Sequence, residues 1–303
     1  MRRILVTGGA GFIGSHVVDA LRARGDRPEV LDDLSKGQVT NLPDDVPLHI
    51  GDIADASRVR ALFEARRFDA VVHCAAQTNV MRSIVEPALD RRINIDGLQA
   101  VLDASTATGV RRFVFISSGG AIYGETPAPA NEETPPAPTN PYGRHKLEGE
   151  ARVARAAVST CSLRLSNVYG PRQRSDAEGG VISIFVERIA HGMPLQVYGD
   201  GEQQRDFVHV GDVVEAVLMA IDREAMLGSW NVGTGVATSI NEIVKLVQFV
   251  APRAVEVTHL PERGEVRRSC LDVAKLRALG WRPQCELGDA LASLVGAAAT
   301  ATT

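Results

Sequence analysis

The 303-residue sequence is poor in aromatic residues, at 5%, and has only four cysteines, Cys74, Cys161, Cys270 and Cys285, with no C-x-x-C pair among them. That spacing argues against both a zinc site and a disulfide framework. No apolar run reaches the roughly 18–20 residues needed to span a bilayer, and Met1-Arg2-Arg3 leads into a short strand-like run without a signal-peptide pattern. A soluble, cytoplasmic protein with no membrane partner is expected. A basic surplus is missing too: 33 Lys and Arg against 37 Asp and Glu leave a formal net charge of -4, which predicts no nucleic-acid partner. His73, His145 and His209 are scattered without ligand spacing, so no metal is expected and packing or surface roles are. With 45% hydrophobic and 23% charged residues, disorder is excluded except at the small, polar end over 296–303.

What is present is a chain long enough for one large domain or two coupled ones. Residues 4–7 form an apolar run, a glycine-rich turn follows, and 12–24 carry Ile13, Val17, Val18 and Leu21 at helical spacing, with Gly25 where a helix stop belongs. Further short apolar runs at 29–31, 48–50, 70–74, 113–117 and 162–165 alternate with helical patterns such as 57–67 and 94–107. Continuous apolar strands alternating with helices predict an α/β fold, a doubly wound parallel sheet of Rossmann type with helices on both faces. After Asn167 the alternation loosens into a helical stretch at 181–191 and short runs at 195–198 and 205–209. The expected division is 1–166 plus about 206–228 as a nucleotide-binding domain, and about 167–205 plus 229–303 as a smaller substrate-binding lid. Six prolines in 125–141 resist helix and central strand there.

Gly8, Gly11 and Gly14 lie between the first strand and the first helix, where absent side chains let backbone approach a pyrophosphate at the positive end of the helix. Asp32, eighteen residues after Gly14, is placed to accept hydrogen bonds from ribose hydroxyls and to repel a 2′-phosphate, which favours NAD over NADP; Lys36 nearby weakens that preference. Tyr142 and Lys146 stand four apart, on one face of a helix, so that a phenol and an ammonium can meet the same ligand. A neighbouring cation is expected to lower the phenol pKa and make the tyrosine an acid or base near neutrality.

Together with TGGAGFIG at 7–14, LDDLSKG at 31–37, GDI at 51–53, HCAAQ at 73–77, SSGGAIYGE at 117–125, PYGRHK at 141–146, NVYGPRQ at 167–173, YGDGEQQRDFVHV at 198–210 and WNVGTG at 230–235, these features resemble the extended short-chain dehydrogenase/reductases. Within them the chain is similar to the NAD-dependent epimerase/dehydratase family and its UDP-glucose 4-epimerases. The resemblance implies that Gly8, Gly11, Phe12, Ile13, Gly14, Asp32, Asp52, Ile53, Ala75, Asn94, Tyr142 and Lys146 hold NAD, and that Tyr142 is the catalytic acid/base supported by Lys146. It implies a UDP-sugar substrate, oxidised at C4 and re-reduced on its other face, contacted by Asn167, Tyr198 and Arg205. A second arginine expected before Gly264-Glu265 is Arg263 with a one-residue shift, since the ungapped position is Glu262.

The chain departs from the family where Ser or Thr usually stands four residues before the tyrosine of the Y-G pair: here it is Gly119, so Ser118, in preference to Ser117, is expected to contact the sugar. Gly120 and Ala121 replace the Asp-Glu pair that dehydratases place there, which favours epimerisation over 4,6-elimination; a uronate 4-epimerase or another nucleotide-sugar epimerase or reductase is the alternative, and an NAD-binding regulator the non-enzymatic one. Ser269 is small where relatives border the sugar 2-substituent, which leaves room for N-acetyl sugars. A homodimer is expected through the helices from Asn94 and Tyr142, with Leu98, Val101, Leu102, Val153 and Ala157 on their outward faces.

Overall fold

A computed structural model describes residues 1–175, 180–262, 264 and 266–301. In chain order the first elements are β1 (Arg3–Thr7), α1 (Phe12–Ala23), β2 (Arg27–Asp32), β3 (Leu48–Ile50), α2 (Ala56–Arg66), β4 (Ala70–His73), α3 (Val80–Val85) and α4 (Pro87–Arg91). A π-helical turn, Arg92–Gly97, leads into α5 (Leu98–Thr108), followed by β5 (Arg112–Ser118), α6 (Gly119–Tyr123), α7 (Pro141–Arg155) and β6 (Ser159–Leu165). Then come β7 (Asn167–Tyr169), α8 (Val181–Ala190), β8 (Leu195–Tyr198), β9 (Gln204–His209), α9 (Val210–Asp222) and β10 (Gly228–Val232). The last are β11 (Ala237–Ser239), α10 (Ile240–Val250), β12 (Val257–Leu260), β13 (Arg268–Ser269), α11 (Ala274–Ala278) and α12 (Leu287–Ala301).

The chain forms two compact units, Met1–Ile122 with Pro136–Leu165 and Val214–Trp230, and Tyr123–Pro135 with Ser166–Val213 and Asn231–Thr303. The first is built on a seven-stranded sheet of order β10-β6-β5-β4-β1-β2-β3. Because β1 pairs in parallel with both β2 and β4, the strand order reverses at β1, and the carboxyl end of β1 opens at the switch point of a doubly wound Rossmann sheet. Strands β1, β4 and β5 are apolar residue after residue because helices cover both faces. One core cluster joins Leu5, Leu31, Val71, Phe113 and Phe115 of the sheet to Val59 and Phe63 of α2, to Leu98, Val101 and Leu102 of α5, and to Val153 of α7.

That cluster corrects one expectation. Leu98, Val101, Leu102 and Val153 do not face outward but lie at most 2% exposed, because the apolar stripes of α5 and α7 pack on the sheet. Away from these stripes, the half-buried Arg152 of α7 donates to Glu148 of the same helix and to Gln99 of α5.

In the second unit, β9 lies between β11 and β13 and also pairs with β7, while β8 and β12 form a separate ribbon. Its core gathers Phe185 and Ile189 of α8, Val244 and Val247 of α10, Leu291 of α12 and Tyr169 of β7. Among the described residues no helix is long and apolar enough to cross a membrane.

Candidate active site

The turn after β1 has the shape of a phosphate cradle. Gly8 adopts φ +66°, a left-handed conformation that favours glycine, and a Cβ there would come within 2.7 Å of the Ala75 nitrogen. A Cβ on Gly14 would sit 2.2 Å from the Gly8 carbonyl, so α1 can press onto the turn only without a side chain there. At Gly11 an added Cβ meets only the Gly8 oxygen, at 3.2 Å, and otherwise open space. Gly11 is also the N-cap of α1 and has no side chain to cap it, so the N–H groups that open the helix at Phe12, Ile13 and Gly14 are available to an anion.

Asp32 ends β2 across this turn. Its Oδ2 accepts from Ala10 N at 3.0 Å and its Oδ1 from Leu34 N at 2.9 Å, which aims the carboxylate and leaves each oxygen further acceptor capacity. Burial, opposed by these two bonds, raises its pKa from the ordinary value. An open glycine cradle, an uncapped helix start and an oriented carboxylate together fit a dinucleotide.

The other expected cofactor residues take more indirect positions. Asp52 accepts from Ala54 N at 2.8 Å and pairs with Arg92, while Ile53 is a core residue packed over Gly97. Ala75 N donates to Thr7 Oγ1 at 3.3 Å. Asn94, buried in the π-helical turn, clasps the backbone of Gln77: its Oδ1 accepts from Gln77 N at 3.1 Å and its Nδ2 donates to Gln77 O at 2.9 Å.

At the carboxyl end of β5 the structure brings three expected residues together. Asn140 caps α7 by accepting from Gly143 N at 2.9 Å, and Pro141 at the first helical position has no N–H to satisfy, so Tyr142 and Lys146 project from a firmly started helix. Gly143 lets α7 approach β5's exit, since a Cβ there would lie 2.3 Å from the Ala121 carbonyl. The Ser118 hydroxyl is close enough to the Tyr142 phenol to favour its ionised form. Lys146 Nζ donates to the Ile116 carbonyl at 2.9 Å and lies 5.8 Å from the Tyr142 ring centroid. Ser117 is engaged elsewhere, donating to Glu150 Oε1 at 2.7 Å.

The electrostatics differ from the expectation that the ammonium would pull the phenol down. Burial pushes Tyr142 up to about 12, the Ser118 hydroxyl opposes the rise, and Asp90 adds to it. Burial likewise pushes Lys146 down to about 8, against Cys74, Asp90 and Glu150, which favour its charged form. Two groups that the sequence did not single out therefore border the site: Glu150, four residues after Lys146 on the same helix face, and the fully buried Asp90. His73 is a packing residue, 2% exposed, bonded to Thr7 Oγ1 at 2.9 Å and set against Phe113 and Phe115.

In the second unit, Arg205 on β9 is in register with Ser269 on β13, and Asn167 on β7 with Phe207 two residues along, so Asn167, Arg205 and Ser269 hold positions on one face of a small sheet. Arg205 Nη1 donates to Gln204 O at 2.8 Å. Tyr198 ends β8, and its carbonyl accepts from Gln203 Nε2 at 3.0 Å. Arg263 lies outside the described residues.

Residues 4–233 match the model of the NAD dependent epimerase/dehydratase family. The chain belongs to this family. It is 40% identical over 306 residues to a UDP-glucose 4-epimerase of Mycolicibacterium smegmatis, with 97% of each chain covered. Among solved structures it superposes with a TM-score of 0.93 on the UDP-glucose 4-epimerase of Thermotoga maritima with UDP-glucose, at 41% identity and 97% of each chain. It superposes equally, at a TM-score of 0.93, 41% identity and 98% of each chain, on the UDP-glucose 4-epimerase of Thermus thermophilus in complex with NAD.

Proposed function

We propose that this family member is a UDP-hexose 4-epimerase that interconverts UDP-glucose and UDP-galactose by transient oxidation at C4. The observation that carries the reading is the gathering of the Tyr142 phenol, the Ser118 hydroxyl and the anchored Lys146 ammonium at a strand end followed by Gly120 and Ala121 in place of carboxylates. With no acid or base at 120 and 121, the segment is equipped for proton transfer at one hydroxyl rather than for elimination of water.

NAD, when bound, accepts and returns the C4 hydrogen with its electron pair. Gly8, Gly11, Phe12, Ile13 and Gly14 hold its pyrophosphate, Asp32 its adenosine ribose and Lys146 its other ribose; Ala75, Asp52, Ile53 and Asn94 shape the surrounding wall. Ser118 holds the sugar 4-hydroxyl while Tyr142, as phenolate, takes its proton as C4 is oxidised, and the resulting phenol returns that proton once the keto sugar has turned its other face. Lys146 keeps positive charge near the phenolate throughout. The second unit holds the UDP-sugar, with Asn167 near the phosphate-linked sugar, Tyr198 at the base, Arg205 on the diphosphate, where its planar fork suits phosphate oxygens, and Arg263 as a second cation. Ser269, in register with Arg205, is a small residue where the family borders the sugar 2-substituent, and on that ground N-acetylhexosamine substrates are included in the proposal. The enzyme acts in the cytoplasm as a homodimer.

The test is incubation of the purified protein with UDP-galactose without added cofactor. UDP-glucose is the expected product. A 4-keto-6-deoxy sugar, or turnover of UDP-uronates alone, would contradict the proposal.

A further inference from the structure

Bonded to His145, three residues after Tyr142 on α7, lies a buried carboxylate that the reaction above does not use. Asp90, on α4, is fully buried; its Oδ1 accepts from Gln77 Nε2 at 2.6 Å and its Oδ2 pairs with His145 Nδ1 at 2.5 Å. Gln77 Oε1 accepts from Asn79 N at 2.6 Å, and Asn79 caps α3 by accepting from Arg82 N at 2.8 Å. Ser83 of α3 in turn accepts the backbone N–H of Tyr142 at 3.2 Å. The bonds close a ring: α7 to α3 through Tyr142 and Ser83, α3 to the segment after β4 through Asn79 and Gln77, that segment to α4 through Asp90, and α4 back to α7 through His145.

A ring that served only to tie helices together could carry an uncharged amide at position 90, whose oxygen and nitrogen would meet the same two partners. A carboxylate kept at zero exposure is costly to desolvate, and its field reaches its neighbours undamped by water. We propose that Asp90 is a positioning residue of the epimerase reaction, whose charge strengthens the Tyr142 phenolate as the base that takes the 4-hydroxyl proton, and that His145 is the counter-group that limits this charge. The proposal rests on the epimerase reading. Lys146, on α7, is acted on by Asp90, by Glu150 of α7 and by Cys74 of the segment after β4, and Asp32 acts on Cys74; α3 and α4 bring Arg82, Glu86 and Arg91, which pair as Arg82–Glu86 and Arg91–Glu148. Asp90 favours the protonated forms of both Tyr142 and Lys146.

The experiment compares kcat against pH for the NAD-loaded enzyme and its Asp90→Asn, His145→Ala, His145→Asn and Asp90→Asn/His145→Ala variants. Since the acid limb reports ionisation of the base, removing the Asp90 charge should move it down by about half to one pH unit, and removing His145 should move it up. His145→Asn, whose amide nitrogen can replace Nδ1, should restore the wild-type limb, and the double variant should follow Asp90→Asn. Ultraviolet titration of phenolate, with the Tyr142→Phe protein subtracted from the signal of the four tyrosines, should order the Tyr142 midpoints in the same way. Limbs or midpoints that stay put in folded variants, or move together in the two single variants, would overturn the proposal. If the wild type does not epimerise UDP-galactose, the epimerase reading fails, and the phenolate titration still decides whether Asp90 acts on Tyr142.

Discussion

Ser117 Oγ donates to Glu150 Oε1 at 2.7 Å, and this bond separates the functions of two adjacent hydroxyls. Ser117 helps to satisfy a buried carboxylate, whereas the Ser118 hydroxyl acts on Tyr142 and opposes the rise of its pKa. Ser118→Ala should lower kcat by roughly 10²-fold and move the acid limb of its pH profile upward, because the phenol loses the neighbouring hydroxyl that favours its ionisation. Ser117→Ala should leave kcat near the wild-type value and lower stability by about 1–3 kcal/mol, as a buried acceptor loses a donor. Steady-state kinetics and urea unfolding of both proteins separate the two roles.

Glu150 also pairs with Arg164, whose Nη2 donates to Oε2 at 2.6 Å with both side chains under 10% exposed. Removing the carboxylate charge leaves a buried guanidinium without its counterion. Glu150→Gln should therefore cost about 3–5 kcal/mol, seen as a lower urea midpoint at an unchanged m value.

The glycines of the turn should separate folding from cofactor affinity. A Cβ at Gly14 collides with backbone, whereas one at Gly11 meets a single oxygen at 3.2 Å and projects into the open side of the cradle. Gly14→Ala should lose several °C of thermal stability even without cofactor. Gly11→Ala should unfold near the wild-type temperature and bind NAD on the order of tenfold or more weakly, measured by calorimetry on cofactor-stripped protein.

Lys146 gives a stability signature with a defined sign. Its pKa in the folded protein, about 8, lies below its ordinary 10.5, so between these values the unfolded chain binds more protons and stability rises with pH. The cost of burying the ammonium is complete below pH 8. Lys146→Met should be more stable than the wild type at pH 7 by a few kcal/mol, with the gap closing toward pH 10, while epimerisation is lost. Denaturant titrations at pH 7 and pH 9.5 measure it.

Much of this architecture was readable from the chain because it depends on local chemistry. The apolar runs of β4 and β5 and the glycines between β1 and α1 state their roles within a few residues, and Tyr142 and Lys146 share a helix face by spacing alone. The misreadings concern contacts made over distance. An apolar stripe with Leu98, Val101 and Leu102 is the same pattern whether it meets a sheet or a second subunit, and here it meets the sheet. Asp90 stands among charges in a segment without periodic signal, and its partner His145 is 55 residues away. The Tyr142–Lys146 spacing shows that a cation is near but not that the ring is buried, and burial is what dominates the phenol.

The central claim is that the Tyr142 hydroxyl moves the proton at C4. Tyr142→Phe keeps the ring that fills this buried position and removes only the oxygen, so the fold and the glycine cradle should be unaffected. Assayed with UDP-galactose, the variant should retain bound NAD and lose at least about 10²-fold in kcat at every pH. Wild-type turnover by NAD-loaded Tyr142→Phe would contradict the account.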